Sequence, residues 1–239
     1  IRGRLSDLSW WMRLLCQRVA QRANREEEET GRFFQDRYRA VRLIDEPALL
    51  ACAAYVDLNP IRAAIADTIE ASDHTSAQRR MKATAKPAAL KRRDAIGARV
   101  PVRRELLDME GRPRCDAFLS PLAIDELADP TGPHASTTPY RCSDKGIFGM
   151  SLANYLDLLN WTARQVSPGK RGGVPANSHR EVTRLGLDTK AWVELVGDFG
   201  KLFSSVAGHP RRVDLVRSNR THRRFRLRPR VRELMSVAI

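Results

Sequence analysis

Hydrophobic positions recur at helical spacing along most of this chain. Leu8, Trp11, Met12, Leu15 and Val19 are three or four apart, and Ser6 or Asp7 can cap the helix they define, which ends near Asn24. A second pattern runs from Asp45 to Ala66. Asp45 can cap it, Pro47 sits near the first helical position, and Pro60 stops it. Leu49, Cys52, Ala53 and Val56 share one face, so that face is expected to be buried. A short helix, 61–66, follows with Arg62 exposed, and Ser72-Asp73 leads into a capped basic helix from Thr75 to Arg80.

Periodicity fades over Lys82–Pro101, which reads as a linker or loosely packed helix, and residues 102–150 are rich in Pro, Gly, Ser and Thr with one helical hint at 121–127. Order returns at Ser151, which caps a helix carrying Leu152, Tyr155, Leu156, Leu159 and Ala163. A Gly-rich basic loop, 167–173, lacks the spacing of a Walker phosphate loop. A helix from Asn177 ends at Gly186. Asp188 caps the next, with Trp192, Val193, Val196, Phe199 and Phe203 inward, and the pair has the form of a helix-turn-helix. The strand candidate is Gly31–Leu43, where aromatic and β-branched residues are dense and Arg37, Arg39 and Val41 alternate. Such arginines suit a phosphate backbone with Phe33, Phe34 and Tyr38 available to stack, or equally protect an exposed edge.

The expected fold is therefore mainly α with an α+β remnant. Residues 1–84 form one part, 85–150 an irregular linker, and 151–239 a helical basic accessory domain. Charge narrows the function. A formal charge of +14 predicts a polyanionic partner, by default nucleic acid. The arginine block 211–232 reads as an electrostatic grip rather than a solvated tail. Four scattered cysteines signal neither a zinc site nor a disulfide framework. No apolar run spans a bilayer and no signal peptide is visible, so a cytoplasmic location without a membrane partner is expected.

The candidate chemistry lies at the end of the second helix. Tyr55 and Asn59 are four apart, one turn above the other. A tyrosine becomes a nucleophile when arginines or a divalent cation polarise the phosphate it attacks, and an amide oxygen such as that of Asn59 suits magnesium. Arg32, Arg37, Arg39, Arg42 and Arg62 are the candidate DNA contacts.

Phe33-Phe34-Gln35-Asp36-Arg37-Tyr38, followed by Leu49 through Ala63 with its Tyr-x-x-x-Asn-Pro-x-Arg-Ala pattern, resembles the end of the catalytic domain of single-tyrosine HUH transposases. The likeness is to the REP-associated branch of the insertion-sequence-two-hundred-like group. It is close from Leu8 to Arg80, including Ser72-Asp73-His74-Thr75-Ser76, and looser around Tyr155-Leu156-Asp157-Leu158-Leu159-Asn160-Trp161-Thr162. The resemblance implies a ferredoxin-like α+β domain and a nucleophile at Tyr55 that forms a 5′-phosphotyrosine with single-stranded hairpin DNA. It also implies a Mg2+ or Mn2+ ion held by a His-x-His strand and by Asn59, and it admits a homodimer. No His-x-His pair occurs here, and all five histidines follow Tyr55. The chain is therefore expected to be a C-terminal portion that keeps the tyrosine, binds no metal and does not nick DNA alone. The alternative is a non-catalytic basic nucleic-acid-binding protein.

Overall fold

Aspartates and serines start the helices of this chain. In a computed structural model of the protein, residues 3, 7–85, 107, 112–124, 135–166, 178–218 and 225–236 are described. The fold is mainly helical, and contacts divide it into two units, Ile1–Val41 and Arg42–Ile239.

The first unit is built on α1, Leu8–Glu26. Asp7 caps it, accepting from the Ser9 and Trp10 amides. The expected apolar stripe is present, yet no residue of α1 is buried; Leu8, Trp11, Leu15 and Val19 are exposed. The following segment returns to the helix through a hydrogen bond of 2.8 Å between Tyr38 Oη and Ser9 Oγ, and Asn24 donates to the Gly31 carbonyl.

Here one expectation is corrected. Residues 31–41 form no strand, and only Arg42–Leu43, β1, is extended and paired. Phe33 and Phe34 meet edge to face at 4.9 Å instead of pointing to opposite faces of a sheet. Aromatic density gave the segment strand propensity but supplied no partner strand.

In the second unit, β1 pairs in parallel with β2, Val206–Ala207. Between and around them lie α2, Glu46–Asp57; α3, Asn59–Arg62; α4, Ser76–Ala85; α5, Leu152–Val166; α6, Arg180–Arg184; α7, Thr189–Gly197; α8, Phe199–Leu202; α9, Pro210–Ser218; and α10, Pro229–Ser236. α2 packs on α7, which also receives α5, α8 and α10. Residues from both sides of 85–150 thus share one core, centred on Trp192. Its indole donates to Thr162 Oγ1, which donates to the Leu158 carbonyl, so no buried polar atom of this group lacks a partner.

The predicted caps at Asp45, Ser151 and Asp188 all form, each accepting the amide three residues on. The predicted inward face of α2 is corrected. Ala48, Leu50, Ala51, Ala54 and Asp57 are buried, whereas Val56 is 56 % exposed and Leu49, Cys52 and Ala53 are half-buried. The small alanines let α7 approach closely. The helical hint at 121–127 is also corrected for its described part: residues 121–124 are irregular, with Ala123 bridging to Phe148. The 86–101 linker, the 167–173 loop and residues 219–224 of the arginine block lie outside the described residues. Among the described residues no helix is long and apolar enough to cross a membrane.

β2 turns into α9 through Gly208, whose φ is +156° and whose missing Cβ would lie 2.9 Å from Ile44 Cβ. Gly208→Ala is expected to lower stability by about 2 kcal/mol, reading as a melting temperature roughly 4–8 °C lower by circular dichroism. An unchanged melting temperature would show that this crossing is not close-packed.

Candidate functional site

Helix α2 ends where the sequence requires. Pro60 has no N–H to give the Val56 carbonyl, so the ladder of α2 breaks at Leu58; α3 restarts it at Asn59 and covers 59–62 rather than the expected 61–66, closing when Ala64 adopts φ +54°. This break brings Arg62 back over the preceding turn. Its guanidinium lies 4.5 Å from the centre of the Tyr55 ring. Phe199 also packs on that ring, at 5.7 Å, and in turn on Phe203 at 4.7 Å. Tyr55 is half-buried, and its hydroxyl lies against exposed Gly200, where an added Cβ would come within 3.0 Å of it.

Arg62 is half-buried rather than exposed as the sequence suggested. Nη2 donates to the Gly197 carbonyl, while Nη1 is enclosed and has no hydrogen-bond partner among the described residues. A guanidinium that keeps a spare donor beside a phenol is unusual in a packed structure, because an unmet buried donor costs about 1–3 kcal/mol. Tyr55 and Arg62 are therefore brought together. Asn59 is exposed, one turn on from Tyr55, and lines a cavity that Tyr55 does not reach. Arg42 is exposed on β1. Arg32, Arg37 and Arg39 are exposed in the first unit beside exposed Phe33 and Phe34.

The cavity has a volume of about 600 Å3. One wall is the α2 face that periodicity marked as buried: Leu49, Cys52, Ala53 and Val56. Phe118 and Ile147 lie across from it, and Asn59, His74 and Arg79 supply polar lining. Burial pushes the Cys52 thiol up, which keeps it protonated and inert.

The residue that sequence reasoning missed is Asp57. It is only 2 % exposed, yet its carboxylate is fully used. Oδ1 accepts from the Ser76 amide at 2.9 Å and the Ala77 amide at 3.3 Å. Oδ2 accepts from Ser76 Oγ at 2.9 Å and Tyr155 Oη at 2.8 Å. Asp57 thus caps α4 from a distance and ties α2, α4 and α5 together, two residues from Tyr55. A signal did exist. An aspartate in the last turn of an apolar helix opposes the helix dipole, so it needs donors from elsewhere. The phenol of Tyr155, stacked on Phe148 at 5.6 Å, is held well above its ordinary pKa by burial, and then by the charge and hydrogen bond of Asp57.

Among the described residues no group of three or more His, Cys, Asp or Glu side chains could hold a metal ion. Two of the three described histidines make hydrogen bonds within the fold, and the third, His74, lines the cavity. His179 caps α6 through Nδ1, which accepts the Glu181 amide, and faces Asp157 through Nε2 at 3.1 Å; His209 accepts the Arg211 amide.

Comparison of the chain with protein-family models, with curated proteins and with solved structures returns no match.

Two outcomes test the Asp57 junction. Asp57→Ala strands four donors on two elements and is expected to lower unfolding stability by about 3–5 kcal/mol, against about 1–2 kcal/mol for Tyr155→Phe, in urea titrations. The proton of Tyr155 adds a pH dependence. Its folded-state pKa is raised, so its stabilisation is complete below the unfolded value of about 10 and is lost as pH rises beyond it. The stability gap between the wild type and Tyr155→Phe should therefore narrow above pH 10. A gap that stays constant to pH 11 would contradict the buried phenol.

Proposed function

We propose that this chain carries the tyrosine-bearing part of a single-tyrosine HUH-type transposase of the REP-associated branch, and that it receives single-stranded hairpin DNA at the turn between α2 and α3. The observation that carries this reading is the Arg62 guanidinium over the Tyr55 ring with one donor unmet. Turned out from over the ring, that N–H would be a donor for a phosphate oxygen brought to Tyr55, and charge-assisted pairing with phosphate is what guanidinium geometry favours.

On this reading Tyr55 Oη attacks the phosphorus and the bond to the 3′ oxygen breaks. The phenol loses its proton, the released 3′ oxygen gains one, and a 5′-phosphotyrosine remains. The 3′-hydroxyl later attacks that link and restores the phenol. The turn would be the last piece of a ferredoxin-like catalytic domain, with Arg42 and Arg62 as DNA contacts near it. Arg32, Arg37 and Arg39, with Phe33 and Phe34, would form a strand-binding surface. The family's Mg2+ or Mn2+ finds no ligand set among the described residues beyond Asn59, and no His-x-His pair occurs in the sequence. The chain by itself is therefore expected to bind DNA without nicking it.

A second reading, a non-catalytic basic nucleic-acid-binding protein, is favoured by the packing of Tyr55 between Arg62 and Phe199. Photo-crosslinking separates the two. A hairpin oligonucleotide carrying 5-iododeoxyuridine in its single-stranded flank is irradiated with the full chain, and the linked peptides are mapped by mass spectrometry. The transposase reading predicts linkage to the Tyr55–Arg62 peptide, reduced roughly tenfold by Arg62→Ala, the loss of one charge-assisted bond. Linkage confined to residues 211–232 would overturn it and leave the second reading.

A further inference from the structure

Tyr55 does not line the cavity beside α2, and that cavity combines a fixed interior with an open apolar edge. Its buried lining includes Leu122, Phe148 and Tyr155, and the bond of Tyr155 to Asp57 at 2.8 Å holds this part in place. Its exposed lining includes Val56, Phe118 and Ile147. Covering such side chains removes apolar surface from water, which favours a ligand with an apolar body. A volume of about 600 Å3 suits a small molecule.

Two consecutive arginines of α4 line the same cavity. Arg80 is only 7 % exposed. Its Nη2 donates to the Ser120 carbonyl at 2.8 Å, while its Nε is enclosed and has no hydrogen-bond partner among the described residues. Burial holds its pKa below the ordinary arginine value, and the charges of Asp116 and Asp57 do not make up the difference. Arg79 is half-buried and has no ion-pair partner among the described residues. The acids of the lining are already committed. Asp57 is filled by its four donors. Asp73 is exposed and accepts from Gln78 Nε2 at 2.7 Å, with Lys82 at 3.5 Å. The cavity therefore has guanidinium groups in want of an acceptor beside a wall of aliphatic side chains.

We infer that this cavity binds a small amphipathic carboxylate, with its apolar body against Leu49, Val56 and Phe118 and its carboxylate on Arg79. A guanidinium fork matches the two oxygens of a carboxylate, and a charge-assisted pair is stronger where water is partly excluded. The charge of Arg80 acts on the same anion through space and is offset by it. A carboxylate is favoured over a phosphate dianion because only Arg79 is open to direct bonds, so one negative charge is matched and a second is not. The inference goes beyond the transposase reading and does not rest on it.

Titration of the full nitrogen-15-labelled chain with octanoate, followed by amide chemical shifts, tests the site. Saturable shifts are expected at Cys52, Val56, Arg79 and Phe118, with a dissociation constant of about 1 mM or lower for a ligand of this size. Octylammonium, the same tail with the opposite charge, should bind roughly tenfold more weakly, and this comparison needs no variant. Arg79→Ala should weaken octanoate roughly tenfold, and Arg79→Lys, which keeps the charge, much less. Melting temperatures equal to that of the wild type check the fold of both variants. Four results would each overturn the inference. They are equal binding of the two tails, shifts centred on α1 instead of the cavity, tighter binding of deoxyadenosine monophosphate at the same amides, and no saturation by about 10 mM octanoate. None of them bears on crosslinking at Tyr55, so this site and the transposase reading stand or fall separately.

Discussion

One buried carboxylate holds the second unit in register. Asp57 lies at the end of an apolar helix, away from water, and is tolerable there only because four donors from α4 and α5 converge on it. Removing water from a charge is costly, and the gain is returned only when geometry is good and the remaining lone pairs are filled. The consequence is a fixed relation between the end of α2, the start of α4 and the first turn of α5. Everything near Tyr55 inherits that relation, since the break at Leu58, the short α3 and Arg62 follow immediately.

The two flanks of α2 consequently have different chemistry. On one flank Tyr55 is held between a cation and Phe199, with room for its hydroxyl secured by a residue that has no side chain, Gly200. On the other flank Leu49, Cys52, Ala53 and Val56 line an open cavity with Asn59 at its polar side. A phenol and an amide that are neighbours in sequence thus serve separate surroundings. The proposed chemistry therefore rests on the pairing of Tyr55 with Arg62 more than on that of Tyr55 with Asn59.

Much of the helical frame was legible because caps and breakers act locally. Asp45, Ser151 and Asp188 each impose their effect within one turn, and each was read correctly. The face of α2 was not legible, since that helix is apolar nearly all round and periodicity then has no direction to report. The strand at 31–41 failed because propensity describes a segment alone, whereas a strand exists only with a partner. Asp57 was missed for the same reason: its donors are 19 or more residues away. Tyr55 and Arg62 were each legible as candidates, but their stacking was not; it appears only in the fold, with the guanidinium 4.5 Å from the ring centre.

Native-state hydrogen exchange at the Ser76 and Ala77 amides tests the junction most directly, because both donate to Asp57 rather than to a helical carbonyl. Amides at an ordinary helix start exchange through local fraying. Here they should be released only when the whole unit opens, with protection matching that of Leu158 in the core. Exchange at the rate of an unprotected helix end would contradict the account, and with it the fixed placement of the Tyr55 turn.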